Sequence, residues 1–121
     1  PMKGLSHAAT STQVCRFYYL LAEDALISPQ RSEQMMNLLA NPELHHKFVN
    51  TLDIIAPQAD VYRKSGSWKN YHSDSVLVWG PDRKYILIAL IEDSNGEQII
   101  RNLVSPVETA LKMSQSLNCS Q

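Results

Sequence analysis

Asp60-Val-Tyr-Arg-Lys-Ser-Gly-Ser-Trp68, Ser73-Asp-Ser-Val-Leu-Val-Trp79 and Tyr85-Ile-Leu-Ile-Ala-Leu-Ile91 are the three runs that decide the fold. Each is short and rich in β-branched or aromatic residues, and Gly80-Pro-Asp-Arg83 supplies turn chemistry between the second and third. The spacing predicts strands over 60–68 and 74–79, joined by a hairpin to a strand over 85–91. The third run is apolar at every position. That pattern predicts a strand buried on both faces, central in its sheet, with helices on each side. Ser94-Asn-Gly96 ends it.

Helical spacing surrounds the strands. Thr10-Ser-Thr-Gln13 has the spacing of a capping box, and Val14, Phe17, Tyr18, Leu21 and Ala25 follow at helical intervals, predicting a helix over about 11–23. Ser28-Pro29 is a second helix start, with Met35, Met36, Leu38 and Leu39 as its apolar face. Asn41-Pro42 repeats the signal and predicts a short helix bearing Leu44, Phe48, Val49 and Leu52, closed by Pro57. A last helix is predicted over about 97–117, with Ile99, Ile100, Leu103, Val104, Val107 and Leu111 on one side and a kink near Val104 or Ser105 ahead of Pro106. Helices, three antiparallel strands and a long helix make an α+β domain. A doubly apolar strand in so small a sheet also implies cover from polypeptide outside this chain.

Composition excludes more than it assigns. The 121 residues are 44% hydrophobic and 19% charged with net charge −1, enough for a core and no electrostatic reason to expect nucleic acid. No apolar run approaches membrane-spanning length. The chain opens at Pro1, read here as a cut or processed end, so a targeting segment upstream is compatible with it. Cys15 and Cys119 lack metal-site spacing; two free thiols or one disulfide both remain open. His45-His46 is the other conspicuous pair. Neighbouring helix positions point apart, which argues for surface histidines and against chelation, and neither a metal nor a cofactor is expected.

With the elements in this order, the chain resembles the C-terminal half of the class A β-lactamases, within the β-lactamase/DD-peptidase-like fold. Ser28-Pro-Gln-Arg-Ser-Glu-Gln-Met-Met resembles a late helix of that family. Val61-Tyr-Arg-Lys-Ser-Gly-Ser resembles its Lys-Ser/Thr-Gly motif, and residues 73–90 resemble its closing hairpin. The resemblance implies that residues 1–121 are the C-terminal portion of one catalytic domain, with the nucleophile-bearing N-terminal portion outside the chain. No Ser here is followed by Lys three residues later, and Ser116-Leu-Asn118 matches Ser-x-Asn by letters only. The chain alone is therefore expected to be inactive.

The resemblance also implies roles. Lys64 would hold a substrate carboxylate and tune nearby hydroxyl protons, whereas strand context alone reads it as a solvated lysine. Ser65 would donate to the same carboxylate, or be an ordinary strand serine. Gly66 would let a ligand approach the backbone, or mark a bulge. Ser67 would offer its backbone N–H as one oxyanion donor. Trp68 stands where the family has a small residue; it either closes part of the cleft or caps the core beside Tyr71. No Arg occupies Tyr71-His-Ser-Asp74, and His72 would replace one only when protonated.

The implied activity is acylation of a serine by a β-lactam or peptidoglycan-like amide, followed by hydrolysis. The alternatives are a penicillin-binding sensor or D,D-peptidase-type domain, or a non-catalytic degenerate homologue. The implied compartment is periplasmic or secreted.

Overall fold

The computed structural model describes residues 8–119, and the side chains of 113 and 115–119 lie outside that description. Helix α1 spans Ser11–Ala22, α2 Pro29–Leu39 and α3 Phe48–Ile55. Strand β1 spans Asp60–Trp68, β2 Tyr71–Trp79 and β3 Lys84–Glu92, and α4 runs over Gly96–Cys119. The sheet is antiparallel in the order β1-β2-β3, so the domain is α+β as its sequence indicates.

The helix starts follow their capping chemistry. Thr10 Oγ1 accepts from the Gln13 amide at 3.2 Å while the Thr10 amide donates to Gln13 Oε1 at 2.8 Å. Ser28 Oγ accepts from the Arg31 amide and Pro29 opens α2. Buried Ser32 ties the α1–α2 loop by accepting from the Leu26 amide and donating to the Leu26 carbonyl, each at 3.0 Å. Leu38 does not join the apolar face of α2, being 85% exposed. Ala25 lies beyond α1 and is exposed.

Asn41-Pro42 does not open a helix. Residues 41–47 form an irregular strap in which Asn41 and Lys47 have φ of 51° and 54°, Leu44 is exposed, and α3 begins only at Phe48. The cause is Arg63: its guanidinium takes the Leu44 and His46 carbonyls as acceptors. Helical continuation would have spent those carbonyls within the chain.

The sheet corrects a second expectation. Among the described residues β2 is the central strand, with Asp74–Val78 buried at five consecutive positions, while β3 pairs on one side only and Leu90 is 51% exposed. β2 also begins three residues earlier than its apolar run, because Tyr71, His72 and Ser73 pair with Trp68, Ser67 and Gly66 across a two-residue turn. Pairing on both sides, rather than hydropathy, makes a strand central.

The pleat divides the two faces. Val76, Val78 and Ala89 join Phe48, Val49, Leu52, Ile100 and Val104 in a core under α3 and α4. On the other face buried Tyr18 of α1 reaches the Ser75 hydroxyl at 3.0 Å and the Ser75 carbonyl at 3.2 Å. Helix α4 continues through Pro106 without interruption, and Ile99 and Leu111 on it are partly exposed rather than core. Beyond the proline, Glu108 accepts from Arg83 Nη1 at both oxygens and from the Tyr85 hydroxyl, all at 2.8 Å, locking α4 to the β2–β3 turn. Burial and the Glu108 contact push the Tyr85 phenol well above its usual range.

Candidate active site

The residues singled out in sequence lie at the distal end of β1. Ala40 bridges Tyr62 on the outer edge of this strand, and among the described residues no strand pairs with that edge from Lys64 onward. Lys64, Ser65, Gly66 and Ser67 pair on their inner side with Ser75, Asp74, Ser73 and His72.

Side chains of Lys64 and Ser65 leave the strand on opposite faces. Lys64 is exposed on the α1 face, and its ammonium bends to the Ser65 carbonyl. One ligand meets both side chains only if it lies along the strand edge. Gly66 faces the same side as Lys64, where a Cβ would come within 3.1 Å of Ser73 Oγ. Its lack of a side chain keeps an open groove of about 550 Å³ accessible past Gly66, Ser73 and Leu90 towards Trp68 and Tyr71. Trp68 stacks on Tyr71 with ring centroids 6.1 Å apart, and both remain at least half exposed, so the pair walls the groove instead of capping the core. Hydrogen bonding to Glu92 raises the Tyr71 phenol.

The opposite face holds what the sequence did not announce. Lys47 is fully buried, and its ammonium donates to the Gly66 carbonyl at 2.8 Å, to Ser67 Oγ at 2.8 Å and to the Ser73 carbonyl at 3.0 Å. One nitrogen reaches both carbonyls only if both point into the gap between β1 and β2, which makes Gly66 and Ser73 a hydrogen-bonded pair of the ladder. The Gly66–Ser67 peptide is trans, so its N–H points the other way, out of the free edge. By the same alternation the Ser65 N–H also points outward, since the Lys64 carbonyl faces inward and accepts from Ser75 Oγ at 2.8 Å. Burial pulls the Lys47 ammonium below the usual lysine range, against the opposing pull of Asp74 and Glu97.

Arg63 and Asp74 support this arrangement from behind. Arg63 points to the face away from Lys64, as alternation requires, and donates from Nε to Asp74 Oδ1 at 2.9 Å and from Nη2 to Oδ2 at 3.1 Å. Asp74 also accepts from the Phe48 amide at 3.1 Å, capping α3 from the sheet. His46 is not a free surface histidine: its Nδ1 accepts from Arg63 Nη2 at 2.9 Å, and burial, then the Arg63 charge, lowers its pKa. His45 does lie on the surface, 2.6 Å from Asp53. His72 sits 3.4 Å from Ser67 Oγ, and its ring fills the space where Gly96 has no Cβ.

Among the described residues no cluster of three or more His, Cys, Asp and Glu is placed to hold a metal, and no helix is long and apolar enough to cross a membrane. Among the described side chains half-buried Cys15 has no disulfide partner; a bond to Cys119 lies outside the described residues, as do the side chains of Ser116 and Asn118.

A family model described as the beta-lactamase enzyme family matches residues 2–116. The chain belongs to that family. No curated protein and no solved structure matches it. Membership supports a β-lactamase-like hydrolase in general and agrees with helices packed on an antiparallel sheet. Two groups at the strand were invisible to a motif search. Lys47 lies in an irregular strap where the apolar spacing of Leu44, Phe48, Val49 and Leu52 reads as helix and marks no role for it. Tyr18 presents itself only as one more apolar helix position.

Proposed function

We propose that residues 1–121 form the C-terminal portion of a class A-like serine β-lactamase domain and supply the strand wall of its cleft. The observation that carries this reading is the free edge of β1, where the Ser67 N–H points outward beside Gly66 and the Lys64 ammonium. In this role Lys64 and Ser65 hold the substrate carboxylate, Gly66 admits the substrate to the strand, and the Ser67 N–H binds the developing oxyanion. The serine nucleophile and the base for deacylation come from outside this chain, because no Ser-x-x-Lys occurs in it. The substrate is a β-lactam or a peptidoglycan-like amide. The N-terminal half of the same domain is the obligatory partner, and the compartment is periplasmic or secreted.

A second reading, a penicillin-binding sensor or D,D-peptidase-type domain that releases its acyl group slowly, draws support from one departure. Trp68 and Tyr71 stand where class A enzymes have a small residue and, in many cases, an arginine nearby.

The test is the intact mass of the full-length gene product before and after brief exposure to benzylpenicillin. Antibiotic loss with no lasting adduct supports the lactamase; a stable gain of one penicilloyl group supports the second reading. Neither adduct nor loss overturns both and leaves a non-catalytic homologue. In an active protein, Lys64→Ala lowers kcat/KM by about 2 kcal/mol or more of transition-state stabilisation, on the scale of a lost charge-assisted contact.

A further inference from the structure

We infer that Lys47 is a positioning residue: its buried ammonium, bound to the Gly66 carbonyl, fixes and polarises the Gly66–Ser67 peptide so that the Ser67 N–H becomes a strengthened anion donor at the free edge of β1. The inference deepens the proposed site and rests on it for the identity of the anion, but the polarised amide stands on geometry alone.

Three observations carry it. Lys47 is fully buried at the start of α3 with φ 54°, a conformation that a lysine adopts only where its surroundings hold it there. All three ammonium hydrogens have acceptors, and two of these, the Gly66 carbonyl and Ser67 Oγ, belong to the residues flanking the peptide concerned. That peptide is an amide, so charge drawn to its oxygen is withdrawn from its nitrogen. A cation on the carbonyl and an anion at the N–H are therefore cooperative. Lys47 does this from the side opposite Lys64, without touching the groove.

The strand contains its own control. The Ser65 N–H leaves the same edge of the same strand, but the carbonyl of its peptide, Lys64 O, accepts from the neutral Ser75 hydroxyl. Hydroxide-catalysed hydrogen exchange passes through an imidate anion whose charge lies largely on the oxygen. A cation held on that oxygen accelerates exchange by about fivefold even at the dielectric of water, the factor given by ~1 kcal/mol of attraction.

The experiment is amide exchange by NMR on the intact chain, with Ser67 and Ser65 each referred to the same amide in a short peptide of the local sequence. The expected result is a Ser67 acceleration about fivefold or more beyond that of Ser65. The excess disappears in Lys47→Met and returns in Lys47→Arg. A ratio near one in the unaltered protein overturns the inference, and this measurement stands even where Lys47→Met fails to fold. A Lys47→Met protein that folds and keeps the excess overturns it too. If Lys47 merely stabilises the strap, Lys47→Met lowers the melting temperature and the ratio is near one with or without the lysine. Because the readout is an amide and not hydrolysis, its failure is separable from a negative result with benzylpenicillin.

Discussion

Replacing Asp74 by alanine strips the β1–β2 hairpin of its rear support, and the structure sets the cost. Asp74 accepts from Arg63 Nε and Nη2, from the Phe48 amide and from the Ser75 amide, at 2.9 to 3.1 Å. The paired side chains are 3% and 0% exposed. Removing one member of a buried pair strands the other charge and costs about 3–5 kcal/mol, against a total of roughly 5–15 kcal/mol for a domain of this size. At about 3–5 °C per kcal/mol, Asp74→Ala lowers the melting temperature by about 9–25 °C. Urea titration followed by circular dichroism measures the change, and an unchanged slope keeps the comparison two-state. Arg63→Leu costs a similar amount for the opposite reason, stranding the carboxylate and also releasing the Leu44 and His46 carbonyls. The double replacement Arg63→Leu/Asp74→Leu is less damaging than the two singles summed, by about 2 kcal/mol or more, because neither charge is left alone. A single Asp74→Ala loss below about 1 kcal/mol, or strict additivity in the double, refutes the claim that this pair holds the strap and α3 to the sheet.

Two further outcomes follow from the same face. A Cβ on Gly96 would lie 2.6 Å from His72 Cγ, so Gly96→Ala costs about 1–3 kcal/mol by overpacking and displaces the His72 ring, read from its NMR shifts. His46 has its folded pKa below the unfolded value of 6.5, so the unfolded chain binds the extra proton first. Stability contributed by neutral His46 is then complete above about pH 6.5 and is lost as pH falls towards the folded pKa. His46→Gln flattens that acid-side slope, and an unchanged slope refutes the Arg63–His46 contact.

How much of this was legible in sequence depends on the range of the interaction. Capping boxes, turn residues and alternation act within a few residues, so α1, α2, the three strands and the opposed faces of Arg63 and Lys64 could be read directly. The Asn41-Pro42 signal failed because Arg63, some twenty residues away, captures the carbonyls that a helix there would use. Among the described residues β3 is not central, because hydropathy reports what a strand can bury and says nothing of which strands pair with it. The Lys-Ser-Gly run was legible as letters. What its residues face was not, because the inward-facing Gly66 carbonyl meets Lys47 across a separation that no spacing rule spans.

That division also says why the strand edge can serve as a wall. A lone edge strand with a glycine is a weak and mobile element. Here Tyr18 and Ser75 grip β1–β2 from one face while Lys47, Arg63 and Asp74 grip it from the other. The contacts spend the inward-facing carbonyls of Lys64 and Gly66, and among the described residues they leave the outward N–H groups of Ser65 and Ser67 unspent. A sheet edge built only for stability would cover those donors with a loop or a charged side chain. Ala40 covers the edge at Tyr62, and that cover stops two residues short of Lys64. An edge protected up to the motif, braced from both faces behind it and open along it, is suited to receive a polar extended ligand.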